Sequence, residues 1–344
     1  MTSGDQQMKL TGYLGQGPVR SVVENVMLAE QVGIDRMWTS ELAHDPFLPL
    51  AMVADRTDRV AIGTCVAIAF SRTPWATAQV AWDLHQMSNQ QFVLGLGTQV
   101  KAHVERRFGG HWQAPAAYMR DYIGALRAIW AHWTEGGPLN YESDAFHLNL
   151  TAPPFHAELG GIAPPVYMGG VNKMMCRAAG EVADGFIAHG FNSTSYLTDT
   201  VMPELFRDRD RDSMKIVVPV MMGTSANPTE LDAAREEARR QVAFYASTPA
   251  YRLILESHGL ESLGEKLSAL AREARWDDMT ASVDDDVLAL YAICGRPEEV
   301  GEEMVRQYSG IADELLMMQS VDELGRECFT RLRKGFDVAQ AELS

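Results

Sequence analysis

The chain has 344 residues, 46% of them hydrophobic, and a formal net charge of −16. That acidity disfavours nucleic acids and anionic membranes as partners, because long-range repulsion opposes the encounter. The length exceeds most single domains and suits an α/β barrel of roughly 250 residues carrying insertions.

The first strand is expected over Met8–Leu14 and is broken by Gly15-Gln16-Gly17-Pro18. Val22, Val23, Val26, Met27 and Ala29 then form the apolar face of a helix that ends at Gly33. Arg36–Thr39 reads as a short second strand, and Asp45-Pro46 as the cap and first residue of a helix running to about Arg56. Val60–Ile68 is apolar throughout, as a strand buried on both faces should be. Thr73-Pro74 opens a helix ending near Met87, and Phe92–Leu96 is the fourth strand. A long helix follows over Ala114–Trp133, with Tyr118, Tyr122, Leu126, Ile129 and Trp133 at three- and four-residue steps.

Residues 134–164 form an excursion with a hairpin around Leu139–Leu150. The alternation resumes with strand Val166–Met168, helix Asn172–Val182, strand Asp184–Ala188, helix Leu197–Arg209 and strand Lys215–Met222. A second, mostly helical excursion spans residues 228–283, and Asp284-Asp285-Asp286 reads as a helix cap. Pro297 opens another helix, Ile311–Met318 is the eighth strand, and a last helix runs to about Ala341. Eight strands alternating with helices predict an α/β fold, a (β/α)8 TIM barrel with insertions after strands 4 and 7. Residues 1–7 are expected to be disordered and residues 8–344 to form one domain.

Cys65, Cys176, Cys294 and Cys328 have no CxxC spacing, so no metal site is expected. Met1–Gln7 is polar and lacks the apolar core of a secretory leader. No run of about 18 apolar residues is present to span a bilayer. These features lead us to expect a cytoplasmic protein that acts on a small molecule.

Such barrels carry their sites at the C-terminal strand ends. The fifth strand ends in Gly169-Gly170-Val171-Asn172 at a helix start. That is either a plain tight turn or an anion site, where glycines admit a ligand to the backbone and free N–H groups attract phosphate. Glu41 and His44 share the loop after strand two. They could act as a carboxylate-oriented general acid or base, or be a helix-preceding loop in which Asp45 caps and His44 faces solvent. His189 ends strand six, as an acid, an anion ligand or a strand-end structural residue. Lys101, His103, Arg106 and Arg107 form the densest positive patch, either a contact for an anionic ligand or a solvated helix. No HExxH, GxSxG or P-loop signature is present. Gly95-Leu96-Gly97-Thr98 lacks the third glycine of a dinucleotide fingerprint.

Several segments together resemble the bacterial luciferase-like superfamily, and within it enzymes that use the deazaflavin coenzyme F420. They are Met37–Glu41, Ile62–Val66, Arg72-Thr73-Pro74 with Gln79, Phe92–Thr98, Pro165–Gly170 with Ala183–Phe186, Gly295–Val300, and Ala312-Asp313. Ser40–Leu50 and Gln99–Phe108 are similar to a subgroup described as F420-dependent oxidoreductases.

The resemblance implies a barrel that is commonly a homodimer, with a non-proline cis peptide at Cys65–Val66. It implies that Gly97 and Thr98 lie near the cofactor ring and polyol, and that Gly169, Gly170 and Val171 bind its phosphate. It places Glu41 near the ring and matches His44 to a catalytic histidine. Two residues separate His44 from the acid that it adjoins in sugar-phosphate dehydrogenases, and the catalytic glutamate of those enzymes has no match near Gln99. The expected reaction is hydride transfer between the deazaflavin C5 and a small organic substrate. An FMN-dependent monooxygenase and a cofactor-free barrel are the alternatives. Trp38, Phe70, Trp112 and His189 are expected around the substrate.

Overall fold

The computed structural model describes residues 7–18, 26–57, 59–152 and 161–343. The expectations for residues 1–6 and for Val22 and Val23 lie outside these residues. In chain order the elements begin with β1 (Lys9–Tyr13), α1 (residues 26–31), β2 (Arg36–Thr39), α2 (Phe47–Ala54), β3 (Ala61–Thr64), β4 (Ala67–Ile68) and α3 (Pro74–Met87). There follow β5 (Phe92–Gly97), α4 (Lys101–Arg106), α5 (Pro115–Glu135) and the hairpin of β6 (Tyr141–Glu142) with β7 (His147–Leu148). Then come β8 (Val166–Gly170), α6 (Lys173–Val182), β9 (Gly185–Ala188), α7 (Thr194–Tyr196), a π-helical turn, α8 (Met202–Leu205) and β10 (Lys215–Gly223). Helices α9 (Leu231–Ala246), α10 (Arg252–Glu256), α11 (Glu261–Arg272), α12 (Trp276–Ala281) and α13 (Asp285–Tyr291) precede β11 (Ala292–Cys294). The chain closes with α14 (Pro297–Tyr308), β12 (Glu314–Ser320) and α15 (Val321–Leu343).

Strands β1, β2, β3, β5, β8, β9, β10 and β12 pair in that order, all parallel, and β12 returns to β1. This is a closed (β/α)8 barrel. Helix starts follow local chemistry. Thr73 caps α3 by accepting from Ala76 N at 3.3 Å, Asn172 caps α6 through Met175 N at 3.0 Å, and Asp284 caps α13 through Val287 N at 2.9 Å. Asp45 Oδ1 accepts from Phe47 N and Leu48 N at 2.8 and 3.1 Å, so α2 begins just after Pro46.

Three sequence expectations need correction. The run Val60–Ile68 is two strands, because the chain bulges at Cys65–Val66. Gly63 pairs with Val93 but Ala67 pairs with Leu96, so four steps on one strand face three on the other. The helix expected over Leu197–Arg209 is over by Leu205, its first part wound as a π-turn at Leu197–Val201. Strand β11, which extends the sheet beside the tip of β10, was not anticipated. Among the described residues no helix is long and apolar enough to cross a membrane.

Most apolar burial lies between the strands and the surrounding helices. The barrel interior is a separate layer of Trp38, Val93, Tyr167, Ile187, Val217 and Leu316. Glycines make room for its two large rings: a Cβ on Gly63 would lie 2.5 Å from Trp38, and one on Gly185 2.5 Å from Tyr167. Trp38 Nε1 donates to Thr11 Oγ1 at 3.1 Å, which satisfies the buried indole. Beside Trp38, Arg36 binds Glu314 at 3.1 Å and donates to the carbonyls of Ile62 and Gln91 at 3.1 and 3.0 Å. One guanidinium thereby ties β2 to β12 and to β3. Replacing Arg36 with Met strands a buried carboxylate. The expected loss is about 3–5 kcal/mol, read as a lower urea midpoint with an unchanged slope.

Candidate functional site

A cleft of about 960 Å³ opens at the C-terminal ends of the barrel strands. Its floor is built around the bulge. The Cys65–Val66 peptide is cis, at the position the family resemblance implied. Cys65 N donates to Thr39 O at 2.6 Å, and Ser40 Oγ donates to Cys65 O at 2.7 Å, so the first residue of the bulge hangs on the end of β2. The Val66 side chain drops into a notch of bare backbone. A Cβ on Gly97 would lie 2.5 Å from Val66 Cγ2, and one on Gly169 3.4 Å from Cγ1. Cys65, Val66, Gly97, Thr98, Gly169, Gly170 and Val171 all line the cleft. Burial pushes the Cys65 thiol up to about 12, so it is not a ready thiolate nucleophile.

The α6 N-terminus opens beside Gly170 and Val171. Asn172 satisfies Met175 N, and Tyr196 OH holds Val171 O at 2.8 Å. The remaining first-turn N–H groups point out of the helix start, where its dipole favours an anion.

Glu41 is buried at the cleft edge, and its carboxylate is fully engaged. It accepts from Ile68 N at 2.8 Å and Ser71 Oγ at 3.2 Å, and it pairs with Arg72, which also grips Asp45 at 2.7 Å. Glu41 therefore braces the segment after the bulge. His44 is exposed on the same loop and does not line the cleft. Asp45 occupies the chain's turn into α2, which leaves His44 facing outward.

Trp38 is fully buried in the barrel interior and does not reach the cleft. Phe70 packs between Trp112 and Tyr118, at 5.2 and 4.0 Å between ring centres, and only Trp112 of that stack meets the cleft. Of the positive patch, Lys101 lines the cleft, while Arg107 reaches back to Leu42 O and pins α4 to the loop after β2.

His189 does line the cleft. Its Nδ1 accepts the Phe191 N–H at 3.0 Å, and its ring stacks on Tyr251 at 4.0 Å. Burial pushes its pKa down to about 4. Tyr13, Ser40 and Met318 also contribute, as do Tyr245, Tyr251, Phe244 and Trp276 from the long excursion after β10. Tyr13 and Met318 were findable, since they sit on the first and eighth expected strands and such barrels carry their sites at strand ends. The aromatic residues of the excursion carry no spacing that announces the cleft.

The luciferase-like monooxygenase family matches residues 3–314. An uncharacterized protein of Mycobacterium tuberculosis is 38% identical over 319 residues, covering 91% of this chain and 94% of that protein. The 5,10-methylenetetrahydromethanopterin reductase of Archaeoglobus fulgidus is 27% identical over 288 residues, covering 80% of this chain and 82% of its own. The coenzyme F420 dependent tetrahydromethanopterin reductase of Methanopyrus kandleri superposes with a TM-score of 0.78 at 17% identity, over 97% of this chain and 99% of that one. The chain belongs to the luciferase-like monooxygenase family.

Two outcomes follow from the floor and from His189. Gly97→Ala drives a methyl into Val66 and is expected to cost about 1–3 kcal/mol. Val66→Ala in the same chain should recover part of that, giving a coupling of about 0.5–3 kcal/mol in a double-mutant cycle of urea melts. His189 has a folded pKa below its unfolded value, so its contribution to stability is present above about pH 6.5 and is lost as pH falls toward about 4. Acid melts should show up to about 3 kcal/mol of this dependence, and His189→Phe should flatten it.

Proposed function

We propose that this protein is an F420-dependent oxidoreductase that transfers a hydride between the deazaflavin and a small organic substrate. The observation that carries the reading is the Val66 bulge seated against the bare backbone of Gly97 and Gly169, on the floor of a cleft of about 960 Å³. A flat tricyclic ring fits such a floor, because no side chain rises from the two glycines beside the bulge. Cys65, Val66, Gly97 and Thr98 would hold the ring and polyol. Gly169, Gly170, Val171 and the first turn of α6 would hold the phosphate. The Methanopyrus kandleri reductase, which shares the fold, is coenzyme F420 dependent by name, and this supports the same cofactor. Bound there, the deazaflavin would supply or accept a hydride at C5.

The chain's own part is to bind, orient and keep water away. Ile187, Leu316, Met318 and Trp112 give the cleft apolar walls. Glu41 and Arg72 fix the segment that follows the bulge. The proton-handling role expected of His44 has no support in this geometry, since the imidazole stands outside the cleft.

A second reading, a reduced-FMN monooxygenase, is favoured by the family's own description. The same floor would serve either ring. Parallel fluorescence titrations of the purified protein with F420 and FMN separate them. Saturable micromolar binding of F420, weak binding of FMN and weakened F420 binding in Gly97→Ala are the expected outcome. Binding of FMN in place of F420 would overturn the proposal in favour of the monooxygenase, and binding of neither would favour a cofactor-free barrel.

A further inference from the structure

We propose that His189 is a neutral hydrogen-bond donor, through Nε2, to the oxygen of an uncharged ketone, aldehyde or alcohol substrate. This deepens the oxidoreductase reading by naming a substrate class. It rests on that reading for the cleft being the reaction site, though not for which cofactor fills it.

The tautomer is fixed by the backbone. An amide N–H can only donate, so the Nδ1 that accepts the Phe191 N–H at 3.0 Å carries no proton. The single ring hydrogen then lies on Nε2. That atom has no partner among the described residues, and the residue lines the cleft. The ring's orientation is fixed as well. Tyr251 stacks against it at 4.0 Å and 29°, and the edge of Tyr245 meets it at 5.4 Å and 83°. The main chain beneath is pinned by Asn192 Nδ2, which donates to His189 O at 2.7 Å and to Pro219 O at 3.2 Å. A positioned donor with an open end loses little entropy when it meets its acceptor.

The surroundings choose the kind of acceptor. The groups packed against the imidazole are phenols, and burial pushes both Tyr245 and Tyr251 up, Tyr251 to about 12. Its own burial keeps the imidazole uncharged near neutral pH. The cations that line the cleft each have an acidic neighbour: Arg240 pairs at 2.5 Å with Glu237, which also lines the cleft, and Lys101 lies 3.8 Å from Glu105. A carboxylate or phosphate at His189 would lose its hydration and gain no countercharge. A carbonyl or hydroxyl oxygen on an apolar body gains the hydrogen bond without that penalty. Exposed Phe244 and Trp276 extend the apolar wall outward from Tyr245.

The test uses the full chain labelled with ¹⁵N-histidine and no cofactor, so its readout is the imidazole itself. Long-range ¹H–¹⁵N spectra near pH 7 should show His189 as the Nε2–H tautomer. Cyclohexanone should shift the His189 Nε2 resonance saturably, while cyclohexanecarboxylate leaves it in place. His189→Phe should weaken cyclohexanone binding about three- to tenfold, and His189→Gln, which retains a donor, should recover part of it. An Nδ1–H tautomer or an imidazolium near pH 7 would overturn the proposal. So would a response to the carboxylate alone, or silence toward the ketone. Loss of F420 binding in the separate titration would remove the cofactor assignment and leave these spectra to stand.

Discussion

The mouth of the barrel depends on how closely β3 and β5 approach at Thr64 and Gly95. Thr64 Oγ1 donates to Gly95 O at 2.7 Å and accepts Gly95 N–H at 2.9 Å. A Cβ on Gly95 would lie 1.8 Å from Thr64 O, so only glycine permits the contact. The side chain thereby takes over the bonding that the strand itself gives up one residue before the bulge. From that anchor the chain turns out at Cys65–Val66, re-enters the sheet one register later as β4, and leaves Val66 lodged between Gly97 and Gly169. The floor of the cleft, the brace made by Glu41 and Arg72, and the path into α3 all follow from this one displacement.

Size is balanced across the barrel in the same way. Trp38 and Tyr167 fill the interior, and each occupies space that a glycine on the adjoining strand vacates. Bulky rings below and bare backbone above give a barrel that is filled at its centre and opens into the cleft at its C-terminal face. A ligand is therefore confined to the strand ends, and any flat molecule bound there must lie on the bulge rather than sink into the barrel.

The fold was readable because its strands are continuous apolar runs and its helices start at cappable residues such as Thr73, Asn172 and Asp284. Strand β11 escaped because three residues, Ala292–Cys294, carry no period. The split of the third strand escaped the periodicity too, since Cys65 and Val66 are as apolar as their neighbours. The family resemblance located that bulge, and hydrophobic pattern alone could not. In the site, the glycine positions were legible because the absence of a side chain is itself a sequence signal. The side-chain roles were less so. His44, Trp38 and Phe70 lie within a few residues of the cleft by sequence, and each faces away from it, into solvent, the barrel interior or an aromatic stack. Tyr245 and Tyr251 come from an excursion after β10 whose fold back over the barrel no local pattern encodes.

The charge of the molecule bears on how such a cleft can hold an anionic ligand. A net charge of −16 opposes approach of a phosphate from bulk solution. That field is screened over about 8 Å at physiological salt, so it acts on encounter more than on the bound state. Within the cleft the relevant groups are short-range. The N–H groups at the start of α6 sit beside the two bare residues Gly169 and Gly170, and they can donate to a phosphate directly, with exposed Lys173 on the same first turn. Lys101 and Arg240 already have acidic neighbours. Local dipoles rather than net charge are thus what this cleft offers an anion. The same logic divides it in two: fixed backbone donors at the α6 end suit a phosphate, and the neutral donor of His189 among aromatic walls suits an uncharged oxygen.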